Sequence, residues 1–165
     1  MSHVAVRLVT LLALSTNFTR VHILLFQAKM ISNCESVRNE MITAGAVKTF
    51  FELIRDQSNE LTQTLCTTMI HTILKETEAI RKASKCRAAE IILQVLGQNA
   101  DNEFWEQRLV VLSISSRLLL NRSCGLVFVY GGLMSVIWHA QADYVSEHYC
   151  AGTQCLNFIL RQLEW

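Results

Sequence analysis

Large apolar side chains recur along the chain at spacings of three and four residues, the period of a helix with one buried face. Alternation at a spacing of two, which marks strands, is poor. The chain contains no proline and only 6 glycines, and short polar breaks such as STN, DQSN and QAD separate the apolar stretches. The pattern therefore predicts an all-α protein.

One apolar pattern occurs four times along the chain. GAVKTFFELI, which starts at Gly45, matches HVAVRLVTLL from His3, RAAEIILQVL from Arg87 and GGLMSVIWHA from Gly131. Apolar residues coincide at equivalent positions, and one such column is Leu12, Ile54 and Leu96. Starts that lie 42, 42 and 44 residues apart are typical of a solenoid built from units of two or three helices. We predict a single domain over 1–165, with repeat units at roughly 1–31, 32–75, 76–121 and 122–165, the first and last incomplete.

One whole unit reads NEMITAGAVKTFFELIRDQSNELTQTLCTTMIHTIL and resembles an armadillo repeat. In that family a short helix H1 precedes H2, which opens on Gly-Ala or Gly-aliphatic, and a long H3 follows. H1 would span about 34–43, after a candidate capping box at 32–35; H2 would span about 46–56 and H3 about 59–75. HEAT repeats resemble the sequence nearly as well, but Gly45 and the Gly131–Gly132 pair, each at a sharp bend between helices, favour armadillo. The resemblance implies a right-handed α-solenoid of about four armadillo-like repeats.

The same resemblance implies where a partner would bind. H3 helices line the concave face of an armadillo array, and in importin-α a Trp and an Asn one turn apart on H3 hold an extended peptide. No equivalent Trp occurs here, and only Asn157 keeps the Asn, which argues against recognition of a basic import signal. The basic side chains in the column suit an acidic or mixed extended segment instead; the alternative is a solvated helix face that carries charges for solubility alone. The predicted partner-binding residues are Lys29, Asn33, Thr67, His71, Lys75, Ser113, Arg117, Thr153, Asn157 and Arg161.

Composition limits the other classes of function. Hydrophobic residues make up 51% of the chain and the net charge is +1, so nucleic acid and membrane surfaces are not expected partners. The 6 cysteines follow no zinc spacing, and we expect free thiols and neither a metal nor a cofactor. No nucleophile–base, phosphate-loop or metalloprotease motif occurs, which predicts no enzymatic activity.

The first 14 residues resemble an export signal, yet they are the first copy of the repeated pattern, and the other copies cannot be signals. We therefore expect a cytoplasmic or nuclear protein. The leading hypothesis is a non-catalytic scaffold or adaptor that binds an extended or helical segment of a partner protein on the concave H3 face. Because both ends of the array are apolar, a self-assembling unit that forms homo-oligomers through its ends is the alternative, or else the chain belongs to a longer array. A helical carrier for an apolar ligand is a third hypothesis.

Overall fold

The computed structural model describes residues 3–56, 59–98 and 105–133, and all regular structure in this part is helical. The chain divides into two compact units, Met1–Cys86 (unit 1) and Arg87–Trp165 (unit 2), each of which is described by itself. The described helices are α1 (His3–Leu14), α2 (Asn17–Asn33), α3 (Glu35–Thr43), α4 (Ala46–Arg55), α5 (Glu60–Ile73), α6 (Thr77–Lys85), α7 (Ala88–Gln98), α8 (Trp105–Leu118) and α9 (Arg122–Tyr130).

Unit 1 contains the repeat that the sequence predicts. Helices α3, α4 and α5 take the places of H1, H2 and H3, and their observed bounds agree with the predicted ones to within two residues. Helices α1 and α2 are H2 and H3 of the first copy, and α6 is H1 of the third. Within the second copy α4 packs on α5, while α1 packs on α4 and α2 packs on α5 between copies. Each copy therefore covers its neighbour.

The core of unit 1 comes from the repeated apolar positions. Phe50, Phe51 and Ile54 of α4 are fully buried, and so are Leu12 of α1 and Leu24 of α2. Side chains of this size each stabilise a fold by about 1.5 to 3 kcal/mol when they are fully buried. The core of unit 1 also contains polar side chains, and one of them, Gln27 of α2, is buried where the second copy has a buried methionine.

The bend between H1 and H2 has the same backbone in each copy where it is described. Gly45 has φ 96°, Arg87 has φ 58° and Gly132 has φ 80°, all in the left-handed region that favours glycine. The sequence alignment placed Gly131 at this bend, and the structure corrects it to Gly132. Gly131 ends α9 with an ordinary φ of −80°, so the fourth copy starts one residue later than predicted.

The predicted capping box at 32–35 is wrong. Helix α2 continues to Asn33, and the Ser32 hydroxyl donates to the Ala28 carbonyl one turn back in the same helix. Cys34 takes the N-cap position of α3 without a side-chain capping bond. A serine inside a helix satisfies its hydroxyl in this way and is no longer available as a cap.

Two basic side chains on H1 helices join neighbouring copies in unit 1. Arg38 of α3 donates to the Ile31 carbonyl in the last turn of α2 and to the Glu76 carboxylate at the start of α6, both at 3.0 Å. Lys82 of α6 donates to the Ile42 carbonyl of α3 at 2.8 Å. The last carbonyls of a helix have no partner within it, so each cation completes the hydrogen bonding of the preceding copy.

Unit 2 is described over α7, α8 and α9, with α7 packed against both of the others. Its buried side chains include Ile92 and Val95 of α7, Ile114 of α8 and Phe128 of α9. Helix α9 has a capped start, because the Asn121 side-chain oxygen accepts hydrogen bonds from the first backbone amides of the helix.

Candidate functional site

Two equivalent H3 helices, α2 and α5, lie side by side in unit 1. Residues 42 apart occupy equivalent positions on them, so each position can be compared in two copies. At spacings of three and four residues, one stripe stays accessible on both helices, and we call it the H3 face. It consists of Phe18, His22, Phe26, Lys29 and Asn33 on α2, and Glu60, Thr64, Thr68, His71 and Lys75 on or directly after α5.

Four of the predicted binding residues belong to the H3 face. Lys29, Asn33 and Lys75 are exposed and His71 is half-buried. Thr67 is different, because only 1% of it is exposed and its hydroxyl donates to the Gln63 carbonyl of its own helix at 2.8 Å. The predicted contact at Thr67 is therefore not available to a partner.

The remaining predicted residues lie elsewhere in the chain. Ser113 and Arg117 are half-buried on the accessible side of α8 in unit 2. Thr153, Asn157 and Arg161 lie outside the described residues.

Hydroxyl groups on the H3 face and directly beside it already donate within their own helix. Thr68 donates to the Thr64 carbonyl at 3.1 Å, and Thr72 donates to the Thr68 carbonyl at 3.0 Å. The Asn33 side-chain amide donates to the Lys29 carbonyl at 2.9 Å. These side chains therefore present oxygen lone pairs and methyl groups outward, and the charged donors on the face are the lysine ammonium groups.

Aromatic side chains on α2 form a part of the face that the sequence analysis did not identify. Phe18 is 78% exposed and Phe26 is 55% exposed. Between them, the His22 ring meets the Phe18 ring edge to face, with centroids 4.7 Å apart. Phe18, His22 and Phe26 are spaced four residues apart, and this spacing in the sequence could have indicated that their rings lie along one side of α2. Exposed aromatic side chains in one line supply the apolar contact area on which protein interfaces depend.

The charge on the H3 face is mainly positive. The α2 sequence contains no Asp or Glu, and Glu60 in the first turn is the acidic residue of α5. Lys29 and Lys75 supply positive charge on the two helices. Both are long, exposed side chains, so they can reach a ligand that lies along the face without leaving water.

The described cysteines are free thiols in contrasting environments. Hydrogen bonds from the Ser36 side chain and the Val37 backbone lower the pKa of the half-buried Cys34 thiol. Burial raises the pKa of Cys66 to about 12 and that of Cys124 to about 11. Among the described residues no three His, Cys, Asp or Glu side chains are grouped to hold a metal ion. None of the helices in that part of the chain is long and apolar enough to cross a membrane.

Comparison by sequence identifies no relative: no family model matches the chain, and no curated protein is detectably similar to it. Solved structures do match. An engineered protein superposes with a TM-score of 0.78 at 16% identity, over 96% of this chain and 63% of that one. A designed armadillo repeat protein in complex with the peptide (KR)4 gives 0.75 at 17% identity, over 96% and 64%.

A third match carries the same assignment. Computationally designed armadillo repeat proteins for modular peptide recognition give a TM-score of 0.78 at 16% identity, over 94% of this chain and 64% of theirs. This chain therefore spans just under two thirds of the length of these structures. At such low identity the similarity establishes the fold. The chain has the fold of the armadillo repeat proteins, an all-α solenoid.

Proposed function

We propose that this protein is a non-catalytic scaffold that holds an extended segment of a partner protein on its H3 face. Two of the structural neighbours are designed for, or are in complex with, peptides, which supports peptide binding as a use of this fold. The stacked helices α2 and α5 form a surface before any ligand arrives. Such a surface lowers the entropic cost of binding on the scaffold's side, and the ordering cost falls on the flexible segment.

The charge of the H3 face is the observation that carries the proposed ligand chemistry. One neighbour is in complex with the basic peptide (KR)4. Here Lys29 projects from α2, Lys75 follows the end of α5, and the α2 sequence has no acidic residue. A basic ligand would meet like charges, which disfavours it. We therefore assign an acidic or mixed segment to this face.

Affinity and orientation would come from different side chains. The lysines lie in water, where ion pairs are worth about 1 kcal/mol or less, so they mainly accelerate and orient the encounter. Phe18 and Phe26 would bury apolar area against the segment and supply most of the binding free energy. Threonine oxygens such as that of Thr68 can accept hydrogen bonds from the segment's backbone amides.

A charge-reversal comparison tests the proposal. Lys29→Glu combined with Lys75→Glu reverses the charge of the H3 face, whereas Lys85→Glu makes one such change at the exposed end of α6. Each protein, immobilised, captures partners from an extract of the source cell. We expect proteins that the wild type and the Lys85→Glu variant retain and the double variant loses. Acidic segments of those proteins, synthesised as peptides, should bind the wild type at least about tenfold more tightly than the double variant.

Equal binding of the acidic peptides to wild type and double variant would remove the H3 face as the site. Phe26→Ser provides the apolar arm of the same experiment, and we expect it to weaken binding at unchanged helicity. Homo-oligomer assembly, the alternative raised by the sequence, would use an end of the array and not the H3 face. The two functions therefore respond to different substitutions.

A further inference from the structure

The two helices of the H3 face run in the same direction, because separate contacts join their starts and their ends. Arg20 in the first turn of α2 forms an ion pair at 3.6 Å with Asp56, just before the start of α5. At the other end, Arg38 donates to the Ile31 carbonyl in the last turn of α2 and to the Glu76 carboxylate just after α5. The H3 face therefore has one edge at the helix starts and another at the helix ends.

These two edges differ in chemistry. The start edge is aromatic on α2, where Phe18 is 78% exposed and Phe26 is 55% exposed, and it carries the acidic residue of α5, Glu60. The end edge carries the ammonium groups of Lys29 and Lys75. We define the start edge as Phe18, His22, Phe26, Glu60 and Thr64, and the end edge as Lys29, Asn33, His71 and Lys75. Aromatic rings and lysines therefore lie toward opposite edges.

The accessibility of the aromatic rings does not require the outer side of α2 to be free. Helix α5 has another H3 helix, α2, packed against it, and it still exposes Thr64 and Thr68, the equivalents of His22 and Phe26. A helix that packed on α2 as α2 packs on α5 would therefore leave the rings accessible.

An extended segment that contacts both α2 and α5 must cross them, because the helices lie side by side. In an extended chain, successive side chains point to opposite sides, and the backbone hydrogen-bonding groups point between them. If backbone amides bond to a threonine oxygen in the middle of the face, such as that of Thr68, the side chains point to the two edges. Every second residue then faces the start edge and the others face the end edge, whatever number of residues separates the helices.

We propose that the bound segment has acidic residues at every second position and apolar residues between them. This inference rests on the proposed function and adds the order of the residues to their charge. The apolar side chains contact the rings of Phe18 and Phe26, and the acidic side chains pair with Lys29 and Lys75. An acidic side chain out of phase would point toward Glu60 and away from the lysines, so composition alone does not determine affinity.

Two synthetic peptides of the same composition test the order. Each is fluorescein-labelled and about nine residues long, too short for a stable helix in water. The alternating peptide contains Glu-Val-Glu-Val-Glu between Gly and Ser residues, and the block peptide contains Glu-Glu-Glu-Val-Val. In either phase, the block order places a glutamate at the start edge and a valine at the end edge. Fluorescence anisotropy with the full chain at low salt should show the alternating peptide binding about tenfold more tightly.

Cross-linking and variants locate the two edges. Benzoylphenylalanine in place of a valine of the alternating peptide should cross-link to the start edge, and in place of the central glutamate to the end edge, as fragment mass spectra can assign. Phe18→Ser should reduce the preference for the alternating peptide to about threefold, because it removes apolar contact area. Tyr130→Ser, a matched control at an 86% exposed aromatic residue of α9, should leave the preference unchanged. Circular dichroism confirms that each variant keeps its helicity.

The possible failures separate this inference from the proposed function. Equal affinity for the two peptides, with both weakened by the combination of Lys29→Glu and Lys75→Glu, would overturn the alternation and leave the proposed function in place. Cross-links from both probes to the same edge would have the same meaning, and so would equal responses to Phe18→Ser and Tyr130→Ser. No saturable binding of either peptide up to about 1 mM would overturn both.

Discussion

Arg38 connects three segments of unit 1, and its removal gives the most direct test of how neighbouring copies are held together. The side chain donates to the end of α2 through the Ile31 carbonyl and to the start of α6 through Glu76. Arg38→Met keeps most of the aliphatic stem and removes the guanidinium. Glu76→Gln removes the opposite charge and keeps a hydrogen-bond acceptor. The two single variants and the double variant form a thermodynamic cycle.

The magnitude follows from burial. The Arg38 and Glu76 side chains are 16% and 21% exposed, so the pair lies between a surface ion pair and a fully buried one. Loss of a surface pair costs less than about 1 kcal/mol, and removal of one partner from a buried pair costs about 3 to 5 kcal/mol. Because the Ile31 carbonyl also loses a donor, we expect Arg38→Met to lower the free energy of unfolding by about 2 to 3 kcal/mol. The coupling in the cycle should be about 1 to 2 kcal/mol.

Urea unfolding followed by circular dichroism gives the free energies. Hydrogen exchange on peptides from α2 and α3 assigns the loss to unit 1. The matched control is Arg81→Met. Arg81 also pairs with a glutamate, Glu78, and at a shorter distance of 2.6 Å, but these side chains are 57% and 46% exposed. Exposed pairs contribute little, so this control should remain close to the wild type although its contact is shorter.

The argument from burial fails under either of two outcomes. Equal losses for Arg38→Met and Arg81→Met would show that burial does not distinguish the two pairs. A cycle without coupling between Arg38 and Glu76 would show that the cost belongs to the Ile31 hydrogen bond or to packing.

Three further predictions concern single positions. The Gln27 side-chain oxygen is buried without a hydrogen-bond partner, and the side-chain nitrogen donates to the Leu8 carbonyl. Gln27→Met should therefore leave the free energy of unfolding unchanged or raise it by about 1 kcal/mol in urea titrations. A decrease of more than about 1 kcal/mol would contradict this prediction. Arg87 has a left-handed backbone, which costs a non-glycine residue about 1 to 2 kcal/mol. Glycine removes this cost but adds entropy to the unfolded state, so Arg87→Gly should stabilise the chain by about 0.5 kcal/mol. Destabilisation would show that the surface pair between Arg87 and Glu90 matters more. The pKa of Cys34 is lowered and that of Cys66 is raised, so iodoacetamide near neutral pH should label Cys34 first. Peptide mass spectrometry should also show that the labelling rate of Cys34 rises with pH as its thiolate forms. Labelling of Cys66 before Cys34 in the folded chain would refute this order.

Helix positions could be predicted from the sequence because the repeat provides several independent copies of one pattern. Equivalent positions in different copies can be checked against one another. The column of Leu12, Ile54 and Leu96, for example, is buried in all three copies. Glycine at the Gly45 bend is a local requirement that needs no tertiary information. The helix bounds in the second copy therefore follow from 42-residue periodicity and one turn residue.

Exposure could not be predicted in the same way, because it depends on a neighbour. Thr67 is buried where α2 packs on α5, whereas the equivalent Leu25 is half exposed, so at this position the polar residue is inside and the apolar one outside. Neighbouring side chains on a helix point about 100° apart, so a shift of one residue in the alignment exchanges a buried position for an exposed one. Because threonine fits either environment, the sequence does not distinguish Thr67 from Thr68. Gln27 is a similar case, since a buried amide is against the rule for glutamine.

The adjacent glycines at 131 and 132 answer two different needs, and this has a consequence for how copies of the repeat can diverge. A side chain at position 131 would run into the Leu93 side chain and come within 2.7 Å of the Val127 carbonyl. At position 132 no atom of the described residues lies within 4 Å of where a Cβ would be, and the backbone there is left-handed, which Asn also adopts and which Arg adopts at position 87. The close approach at 131 belongs to one copy, because Ala44 and Cys86 precede the bend in the second and third copies. A pattern written to detect further copies of this module should therefore require glycine neither at the bend nor directly before it, and should rely on the spacing of the buried apolar residues.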